Sequence, residues 1–445
     1  MKTKKALLVQ PRIPWPYRIH LGNQLMPPLA LGYLATVLMK YDFDVEVMDL
    51  NLENLSWNEF KRFLTSMSFD VVGVSATTET ARNAYAACQA VKETSSDIVT
   101  IIGGPHVTFV PKEALRTGVV DYVVVGEGEL TLAELAEFLL KGKPKLDRIK
   151  GLAYKNNGSI KINEARPPVE SLDDLPIPNR RVLKTERYPH PGVVLGSRGC
   201  PFQCVFCSAG AMAGGRFRIH SIERILEEIQ ILISEYGARQ MLFTDNTTTV
   251  FPERMIELCR RIREADLNIQ WFCESRADVV TPELLASMAE SGCQAIQFGL
   301  ESGNQNILNK SKKNITLEQV ETAVKLTVKN GLLPILSYMI GHPNDTRRTI
   351  SQSLAFALEM SNLGAYTLPA IMTPFPGTQI FNRSREFGIE ILSRNWEDFG
   401  IFNPVMNTKF LKAEDIRSFY YDAFEQMNKS ILKNWTNMGI QGTNT

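Results

Sequence analysis

The chain has 445 residues, 44% of them hydrophobic and 22% charged, and its formal net charge is +1 at pH 7. This length allows about two to three domains with sizeable cores. The balanced charge gives no support to nucleic-acid binding, and no run of about 18 apolar residues is present to span a membrane. We therefore expect a globular protein with no membrane span, whose partner is a small molecule.

The first 145 residues alternate short apolar runs with amphipathic helical patterns. The runs include KALLVQP, DVVGVSA, IVTIIGG and DYVVVGEGE, and the helical patterns include LALGYLATVLMKY and ARNAYAACQAVKE. Strands that alternate with helices predict a Rossmann-like, doubly wound parallel sheet. Ligands bind such sheets at the carboxyl ends of the strands. We therefore predict that residues 1–145 form an α/β domain that binds a ligand.

Small, polar and glycine residues follow three of these predicted strands. Glycine lets the backbone approach a flat or phosphorylated ligand closely, although single glycines are equally typical of tight turns. The candidate ligand contacts are Ser75, Thr77 and Thr78 after one strand, Gly103, Gly104, Pro105 and His106 after the next, and Gly126, Glu127, Gly128 and Glu129 after the last.

The segment EARPPVESLDDLPIPNRR, residues 164–181, is rich in proline and charge. Proline removes a backbone donor and interrupts helices and strands. We therefore predict a connector over residues 146–185.

Three of the seven cysteines, Cys200, Cys204 and Cys207, lie close together in GSRGCPFQCVFCSAG. A disulfide framework would leave one of these thiols unpaired, and His220 lies too far along the chain for the usual zinc-ligand spacing. A [4Fe–4S] cluster held by three thiolates remains, and it leaves one iron open to a small molecule.

The other cysteines are Cys88, Cys259, Cys273 and Cys293. They are scattered, which is typical of small buried side chains in a reducing compartment. We therefore expect a cytoplasmic protein without an auxiliary iron–sulfur cluster, since such a cluster needs several further thiolates.

Six strand-then-helix patterns follow the connector. They predict an incomplete parallel (β/α)6 barrel, similar to part of a TIM barrel, over residues 186–378, followed by a short helical region over 379–445. In such barrels the chemistry lies at the C-terminal ends of the strands. The predicted strands lie near 193–197, 240–244, 269–273, 294–299, 333–339 and 366–371.

Polar residues and glycine follow these predicted strands. Because the strands are parallel, their C-terminal ends meet on one rim, where we expect these residues to contact a cofactor. They are Asp245, Glu274, Arg276, Glu301, Ser302 and Gly341.

The pattern Cys-x3-Cys-x2-Cys, with Phe206 just before the last cysteine, resembles the signature of the radical S-adenosylmethionine (SAM) enzymes. The resemblance implies that Cys200, Cys204 and Cys207 are the catalytic, iron-binding residues and that the fourth iron chelates SAM. One electron would cleave SAM into methionine and a 5′-deoxyadenosyl radical, which abstracts a hydrogen atom from substrate. It also implies an electron donor such as flavodoxin or ferredoxin.

The segments FTDNT, FGLESGN and MIGHPNDT resemble the strand ends of that family that contact the ribose, amino group and adenine of SAM. Arg276 is a candidate for the methionine carboxylate, because a guanidinium can bind it through two hydrogen bonds. His342 replaces the apolar residue that is more usual at its position, so it is either a substrate contact or a local variation.

The order S-x-T, then GG, then GEGE resembles the cobalamin-binding domain of the cobalamin-dependent radical SAM enzymes. Many cobalamin domains place a histidine beneath the cobalt, within Asp-x-His-x-x-Gly, but NQLMPPLALGYLA has no histidine and His20 lacks the Asp and Gly partners. The resemblance therefore implies bound cobalamin with no histidine ligand on its lower face, and His106 as a turn residue near the cofactor.

These resemblances imply a cobalamin-dependent radical SAM methyltransferase. It would methylate an unactivated carbon, or phosphorus, of a small molecule or natural product through methylcobalamin and the deoxyadenosyl radical. The alternative is a cyclase or other oxidoreductive rearrangement enzyme with the same two cofactors. A methylthiotransferase is disfavoured because its N-terminal domain supplies a second cysteine triplet, whereas the N-terminal domain here has only Cys88. A cobalamin-dependent sensor whose cluster no longer cleaves SAM is disfavoured because Cys200, Cys204 and Cys207 are all present. The aromatic residues Trp15, Trp57, Phe375 and Trp396 are as typical of a core as of a cavity wall.

Overall fold

A computed structural model describes residues 3–14 and 25–437. The chain divides into two units, and the first runs to Val193 and also takes in Ala211–His220. The second contains Val194–Gly210 and the chain from Ser221 onward. Trp15 and His20 lie outside the described residues.

The first unit contains a seven-stranded sheet with strand order β2-β1-β3-β4-β5-β6-β7. Its first five strands pair in parallel, and their order, 2-1-3-4-5, is one of the two common doubly wound orders. The strands are β1 Lys5–Gln10, β2 Asp44–Asp49, β3 Val71–Ser75, β4 Val99–Gly103, β5 Tyr122–Val124, β6 Leu152–Asn156 and β7 Ser159–Ile162.

Helices cover both faces of the central strands, which is why β1, β3 and β4 are mostly apolar and buried. Along β1, Leu7 and Val9 enter one core, and Ala6 and Leu8 enter the other. The helices are α1 Leu29–Met39, α2 Leu50–Glu53, α3 Trp57–Met67, α4 Ala81–Thr94, α5 Pro105–Phe109, α6 Pro111–Arg116 and α7 Glu129–Lys141. The doubly wound sheet predicted from the sequence is confirmed.

The antiparallel hairpin β6–β7 was not predicted, and it lies within the proposed connector 146–185. Only the first three residues of β6 are buried, and β7 is largely exposed. The sequence nevertheless carries a hairpin signal, because Asn157-Gly158 connects the two strands and Ser159–Ile162 alternates polar with apolar residues.

The second unit contains a six-stranded sheet with strand order β15-β14-β13-β12-β11-β8. The strands β11 to β15 pair in parallel with their sequence neighbours, so the predicted incomplete barrel is confirmed. The strands are β8 Gly192–Val194, β11 Gln240–Phe243, β12 Gln270–Ser275, β13 Cys293–Glu301, β14 Leu333–Ile340 and β15 Tyr366–Ile371. The short strands β9 Ser197–Arg198, β10 Arg218–Ile219, β16 Glu390–Ile391 and β17 Met406–Asn407 complete the numbering.

Hydroxyl side chains, which are favoured at helix N-termini, cap four of the barrel helices. Ser221, Thr281, Thr316 and Thr346 each accept a hydrogen bond from the backbone N–H three residues later. The helices of this part of the chain are α8 Ala209–Met212, α9 Ile222–Tyr236, α10 Pro252–Glu264, α11 Pro282–Glu290, α12 Gln305–Lys310, α13 Leu317–Lys329, α14 Arg347–Asn362, α15 Gln379–Asn382 and α16 Ala413–Asn437.

Along the barrel strands, one face of the sheet packs against the helices and the other is more accessible to solvent. On β12, β13 and β14 the side chains of Trp271, Phe298 and Leu336 are buried in the core beneath the helices. Glu274 and Gln297, on the other face of the sheet, are exposed or half-buried. Within the described part of the chain, no helix combines the length and hydropathy needed to cross a bilayer.

Candidate active site

The loop that carries the three cysteines follows β8 and β9 and is anchored at its centre. Val205 is buried with Met372, Ile380 and Met406. Its N–H donates to the carbonyl of Ser311 over 3.0 Å, and its own carbonyl accepts from the N–H of Ile380 over 3.2 Å. One apolar residue inside the motif therefore fixes the loop to the ends of α12 and α15.

The three cysteines are free thiols, of which Cys200 and Cys204 are half-buried and Cys207 is exposed. Desolvation by the surrounding protein raises the pKa of the Cys204 thiol to about 11, and it also raises the pKa of Cys207, although the side chain of Cys207 keeps access to solvent. The N–H of Ala209 lies 3.4 Å from the Cys207 sulfur, as a donor that favours the thiolate. Metal binding would have to release the protons of both thiols.

The donor set fits an iron–sulfur cluster better than a single metal ion. In a [4Fe–4S] cluster each cysteine binds a different iron, so the sulfurs need not converge on one point. Across residues 3–14 and 25–437, no group of three or more His, Cys, Asp or Glu is placed to hold one metal ion. The loop therefore suits a cluster held by three thiolates.

Asp245, which follows β11, is turned toward the segment that precedes the cysteines. Its carboxylate accepts hydrogen bonds from the N–H of Gly196, over 3.1 Å, and from the hydroxyl of Ser197. Burial raises the pKa of Asp245 to about 6. Asp245 thus positions the start of the cysteine loop, and its predicted cofactor contact stays a prediction.

Glu301 ends β13 in a strained conformation. Its φ is +62°, the strand register shifts between Gly299 and Glu301, and the N–H of Ser302 donates to the carbonyl of Leu300 over 2.8 Å. A left-handed conformation costs a residue with a side chain about 1–2 kcal/mol. Such strain persists only where surrounding contacts impose it, and it is common at functional sites.

The strained turn brings Glu301 into contact with Lys313, a residue that the sequence reading missed. The Lys313 ammonium lies 2.8 Å from the Glu301 carboxylate, and both side chains are about nine-tenths buried. The pair lies over Gly299, where an added Cβ would be 2.2 Å from the carboxylate and 2.6 Å from the ammonium. No local pattern distinguishes this buried lysine from its surface neighbours in KSKKN.

Glu274 lies at the end of β12, in register with Gln297 of β13. Partial desolvation at the rim raises the pKa of Glu274, although its side chain keeps access to solvent, and the nearby carboxylate of Glu301 raises the pKa further. The strand ends thus present two carboxylates and one ammonium, a surface suited to a small molecule that carries both charges.

The guanidinium of Arg276, which the sequence offers as a candidate for the methionine carboxylate, already makes several contacts within the protein. Its guanidinium is buried, binds the Asp278 carboxylate through two hydrogen bonds of 2.9 Å and donates to the carbonyl of Lys313 over 2.8 Å. It also lies 3.7 Å from the centre of the Phe202 ring, within the cysteine loop. These contacts suit a residue that holds the loops together, and its predicted carboxylate contact remains open.

The remaining predicted rim residues adjoin the last strands. The Ser302 hydroxyl lies 3.0 Å from that of Ser353, and Gly341 has a φ of +96°. His342 is buried, and its Nε2 lies 3.1 Å from the Glu301 carbonyl oxygen. Its ring meets the edge of Phe206 with the centroids 6.0 Å apart.

In the first unit, hydrogen bonds connect the three predicted ligand loops. The N–H of Ala76 donates to the Gly103 carbonyl, the N–H of His106 to the Ala76 carbonyl, and the N–H of Gly126 to the Thr108 hydroxyl, over 2.8–3.1 Å. Ser75 pairs in register with Gly103 at the strand ends. The topology therefore brings these loops together as predicted.

Two of these glycines have a positive φ, which favours glycine at both positions, but they differ in the space around them. Gly104 has a φ of +107°, and a Cβ there would lie 2.7 and 2.9 Å from backbone atoms of Ala76. Gly126 has a φ of +82°, and a Cβ there would meet nothing within 4 Å. Gly104 thus permits close packing of two loops, whereas Gly126 borders open space that a ligand could fill.

The polar residues of these loops make contacts of their own. Thr77 hydrogen-bonds Thr80, and Thr78 lies 3.4 Å from Nδ1 of the buried His106, in the first turn of α5. Pro105 is the first residue of α5 and Glu129 that of α7. Gly128 precedes α7, and a Cβ added there would lie 3.1 Å from the Leu34 side chain.

Glu127 binds a protein side chain rather than facing open space. Its carboxylate accepts two hydrogen bonds from the guanidinium of Arg218, and Oε2 also accepts from the N–H of Val169. Arg218 donates in turn to the carbonyl of Val169 over 2.8 Å. Glu127 therefore ties the predicted ligand loop to the connector and to the segment after the cysteines.

Replacing Glu127 with alanine is expected to destabilise the first unit by about 3–5 kcal/mol, because the buried Arg218 would lose its counter-charge. The matched control is Glu137→Ala, which removes only the exposed pair with Lys141 and should cost about 0.2–0.5 kcal/mol. Urea denaturation of both variants measures the difference. Equal losses would show that the Glu127 pair contributes no more than a surface pair.

Comparisons with known proteins agree with both parts of this geometry. Residues 20–136 match the family model described as the B12 binding domain, and residues 194–357 match that of the radical SAM superfamily. The chain is 36% identical over 429 residues to the uncharacterized methyltransferase PH0819 of Pyrococcus horikoshii, which covers 95% of this chain and 92% of the relative. The chain belongs to the cobalamin-dependent radical SAM enzymes.

Members of this family that are similar to the chain differ in their reactions. The anaerobic magnesium-protoporphyrin IX monomethyl ester cyclase of Rubrivivax gelatinosus is 27% identical over 426 residues, covering 92% of this chain and 75% of the relative. The cytidylyl-2-hydroxyethylphosphonate methyltransferase of Streptomyces wedmorensis is 28% identical over 371 residues, covering 71% of this chain and 69% of the relative. Family membership alone therefore does not decide between methylation and cyclisation.

Solved structures of cobalamin-dependent radical SAM enzymes share the fold. The methyltransferase TsrM from Kitasatospora setae, with cobalamin and a [4Fe–4S] cluster bound, superposes with a TM-score of 0.77 at 18% identity, over 96% of this chain and 89% of that one. OxsB with aqua-cobalamin bound gives a TM-score of 0.77 at 18% identity, over 95% of this chain and 66% of that one.

Proposed function

We propose that the chain is a cobalamin-dependent radical SAM methyltransferase that methylates a small molecule, at an unactivated carbon or at phosphorus. The observation that carries the proposal is a loop of three free thiols, placed after the first strand of a parallel barrel. When bound, the cluster would supply the electron that cleaves SAM, and cobalamin would carry the methyl group.

The residues of the chain have distinct tasks in this proposal. Cys200, Cys204 and Cys207 hold the cluster, and Val205 keeps their loop in place through its two backbone hydrogen bonds. In the first unit, the open space beside Gly126 receives part of the cobalamin. The lower face of the cobalt is proposed to lack a histidine ligand, and His106 stays committed to its contacts within the protein.

We assign the methionine carboxylate of SAM to Lys313 rather than to Arg276. The Arg276 guanidinium already binds Asp278 and the Lys313 carbonyl. The Lys313 ammonium has three donors, of which one contacts Glu301. The N–H of Val205, inside the cysteine motif, donates to the carbonyl of Ser311 over 3.0 Å, so the segment that carries Lys313 contacts the cysteine loop.

The second candidate is a cyclase or other oxidoreductive enzyme, favoured by the similarity to the Rubrivivax cyclase. The methyltransferase is preferred because the relative with 36% identity is named as one and spans nearly the whole chain. The substrate is proposed to be a small molecule, with an electron donor such as flavodoxin or ferredoxin and a cytoplasmic location.

Mass spectrometry of small molecules tests this proposal. Extracts of cells that make the protein are compared with extracts of cells that make the matched Cys204→Ala variant. We expect a compound that gains one methyl group only with the intact protein. A compound that instead loses two hydrogens, with no methylated product, would favour the cyclase.

A further inference from the structure

His342 is the residue that contacts the strained turn at Glu301. The imidazole is only 2% exposed, and its Nε2 lies 3.1 Å from the Glu301 carbonyl oxygen. A carbonyl can only accept a hydrogen bond, so Nε2 must carry the hydrogen. The histidine therefore donates to the backbone of a residue whose φ is +62°.

The histidine is itself held in place. Its own N–H donates to the Asp345 carboxylate over 2.9 Å, and so does the N–H of Gly341 over 3.1 Å. The ring also packs edge-on against Phe206. Because backbone and ring are both fixed, the Nε2–H is oriented before any ligand arrives.

We propose that His342 is a positioning residue for the binding of SAM, and that it acts through Glu301 on Lys313. Its hydrogen bond holds the Glu301 backbone in the left-handed turn. The turn directs the carboxylate back over Gly299, and the carboxylate fixes the Lys313 ammonium. The inference rests on the proposed role of Lys313 toward the methionine carboxylate.

A direct contact between His342 and a ligand would use the other ring nitrogen. Nδ1 is buried and has no hydrogen-bond partner among the residues that the structure describes. Glutamine places an N–H near the position of Nε2, whereas asparagine places its amide near that of Nδ1. The two substitutions therefore separate a bond to Glu301 from a bond to a ligand.

The test measures the affinity of the reconstituted holoprotein for SAM by equilibrium dialysis. We expect His342→Gln to retain the affinity within about two-fold and His342→Asn to weaken it by about five-fold or more. In a Lys313→Met background, His342→Asn should cause no further loss, because both changes remove the same interaction. The exposed His190 supplies the matched control, His190→Gln, which should leave the affinity unchanged.

Each of the other possible results contradicts a particular part of this inference. Loss in His342→Gln with retention in His342→Asn would show direct ligand contact through Nδ1. If His342→Asn lowers the affinity for SAM by the same factor with Lys313 present and in the Lys313→Met background, His342 has only a structural role. If Lys313→Met lowers the affinity for SAM but His342→Asn does not, the role of Lys313 stands and the role of His342 is contradicted. If Lys313→Met leaves the affinity unchanged, the role of Lys313 is contradicted, and with it the action of His342 through Lys313.

A second readout needs no cofactor. The chain has only five histidines, so ¹⁵N-histidine NMR of the protein without cofactors can be assigned by the peak lost in His342→Gln. The neutral ring of His342 should carry its proton on Nε2. A proton on Nδ1 would contradict donation to the Glu301 carbonyl.

Discussion

Replacing Cys200, Cys204 or Cys207 singly with alanine is expected to abolish 5′-deoxyadenosine formation and to remove the brown iron chromophore. Each thiolate would bind a different iron, so two cysteines cannot compensate for the third. Iron analysis and chromatography of the reaction mixture measure both losses. A triple alanine variant that still releases 5′-deoxyadenosine would rule out radical cleavage of SAM by this cluster.

Cys259→Ala is the matched control for these variants. Cys259 lies on α10 and is fully buried in the core of the same unit. Its loss should lower stability by about 1 kcal/mol and leave the iron content unchanged. Iron loss in this variant would show that the chromophore reports folding in general rather than ligation by the triplet.

Gly126→Trp is expected to abolish cobalamin binding, with the iron content of the second unit preserved. Gly126 follows β5 at the proposed cobalamin rim, where an added side chain would project into open space. An indole there would occupy the volume proposed for the cofactor. Absorption spectroscopy and iron analysis of the purified variant measure the two cofactors separately.

Gly118 offers a closely matched control, because it precedes β5 at the opposite end of the strand. It has the same φ of +82° as Gly126, and nothing lies within 4 Å of a Cβ added there. Gly118→Trp therefore carries the same backbone strain, about 1–2 kcal/mol, but should retain cobalamin. Equal cobalamin loss in both variants would mean that strain, not a filled site, is responsible.

The barrel strands and the cysteine triplet could be predicted from the sequence because their signals are local. Apolar runs that alternate with amphipathic helical patterns indicated the barrel strands, and the strand predicted near 366–371 is observed at Tyr366–Ile371. Parallel topology then brings the strand ends together without any knowledge of side-chain contacts.

The contacts of Lys313 and Glu127, and the bond from Arg276 to the Lys313 carbonyl, could not be predicted, because each depends on a partner distant in sequence. The pair of Arg276 with Asp278 is local, two residues apart. Glu127 meets Arg218 only after the chain has passed through the connector and the cysteine loop. From the sequence alone, the first glutamate of GEGE is a candidate ligand contact, and only the structure shows that it binds Arg218. Likewise, the loop that carries Lys313 comes near Arg276 only in the folded barrel.

The measurement that tests the central claim most directly uses SAM labelled at its methyl group. If the protein is the proposed methyltransferase, two molecules of SAM have different fates for each turnover. We predict one S-adenosylhomocysteine and one 5′-deoxyadenosine for each molecule of methylated product, and the label in that product. Unlabelled product that forms while 5′-deoxyadenosine accumulates without S-adenosylhomocysteine would contradict the methyltransferase and indicate the cyclase.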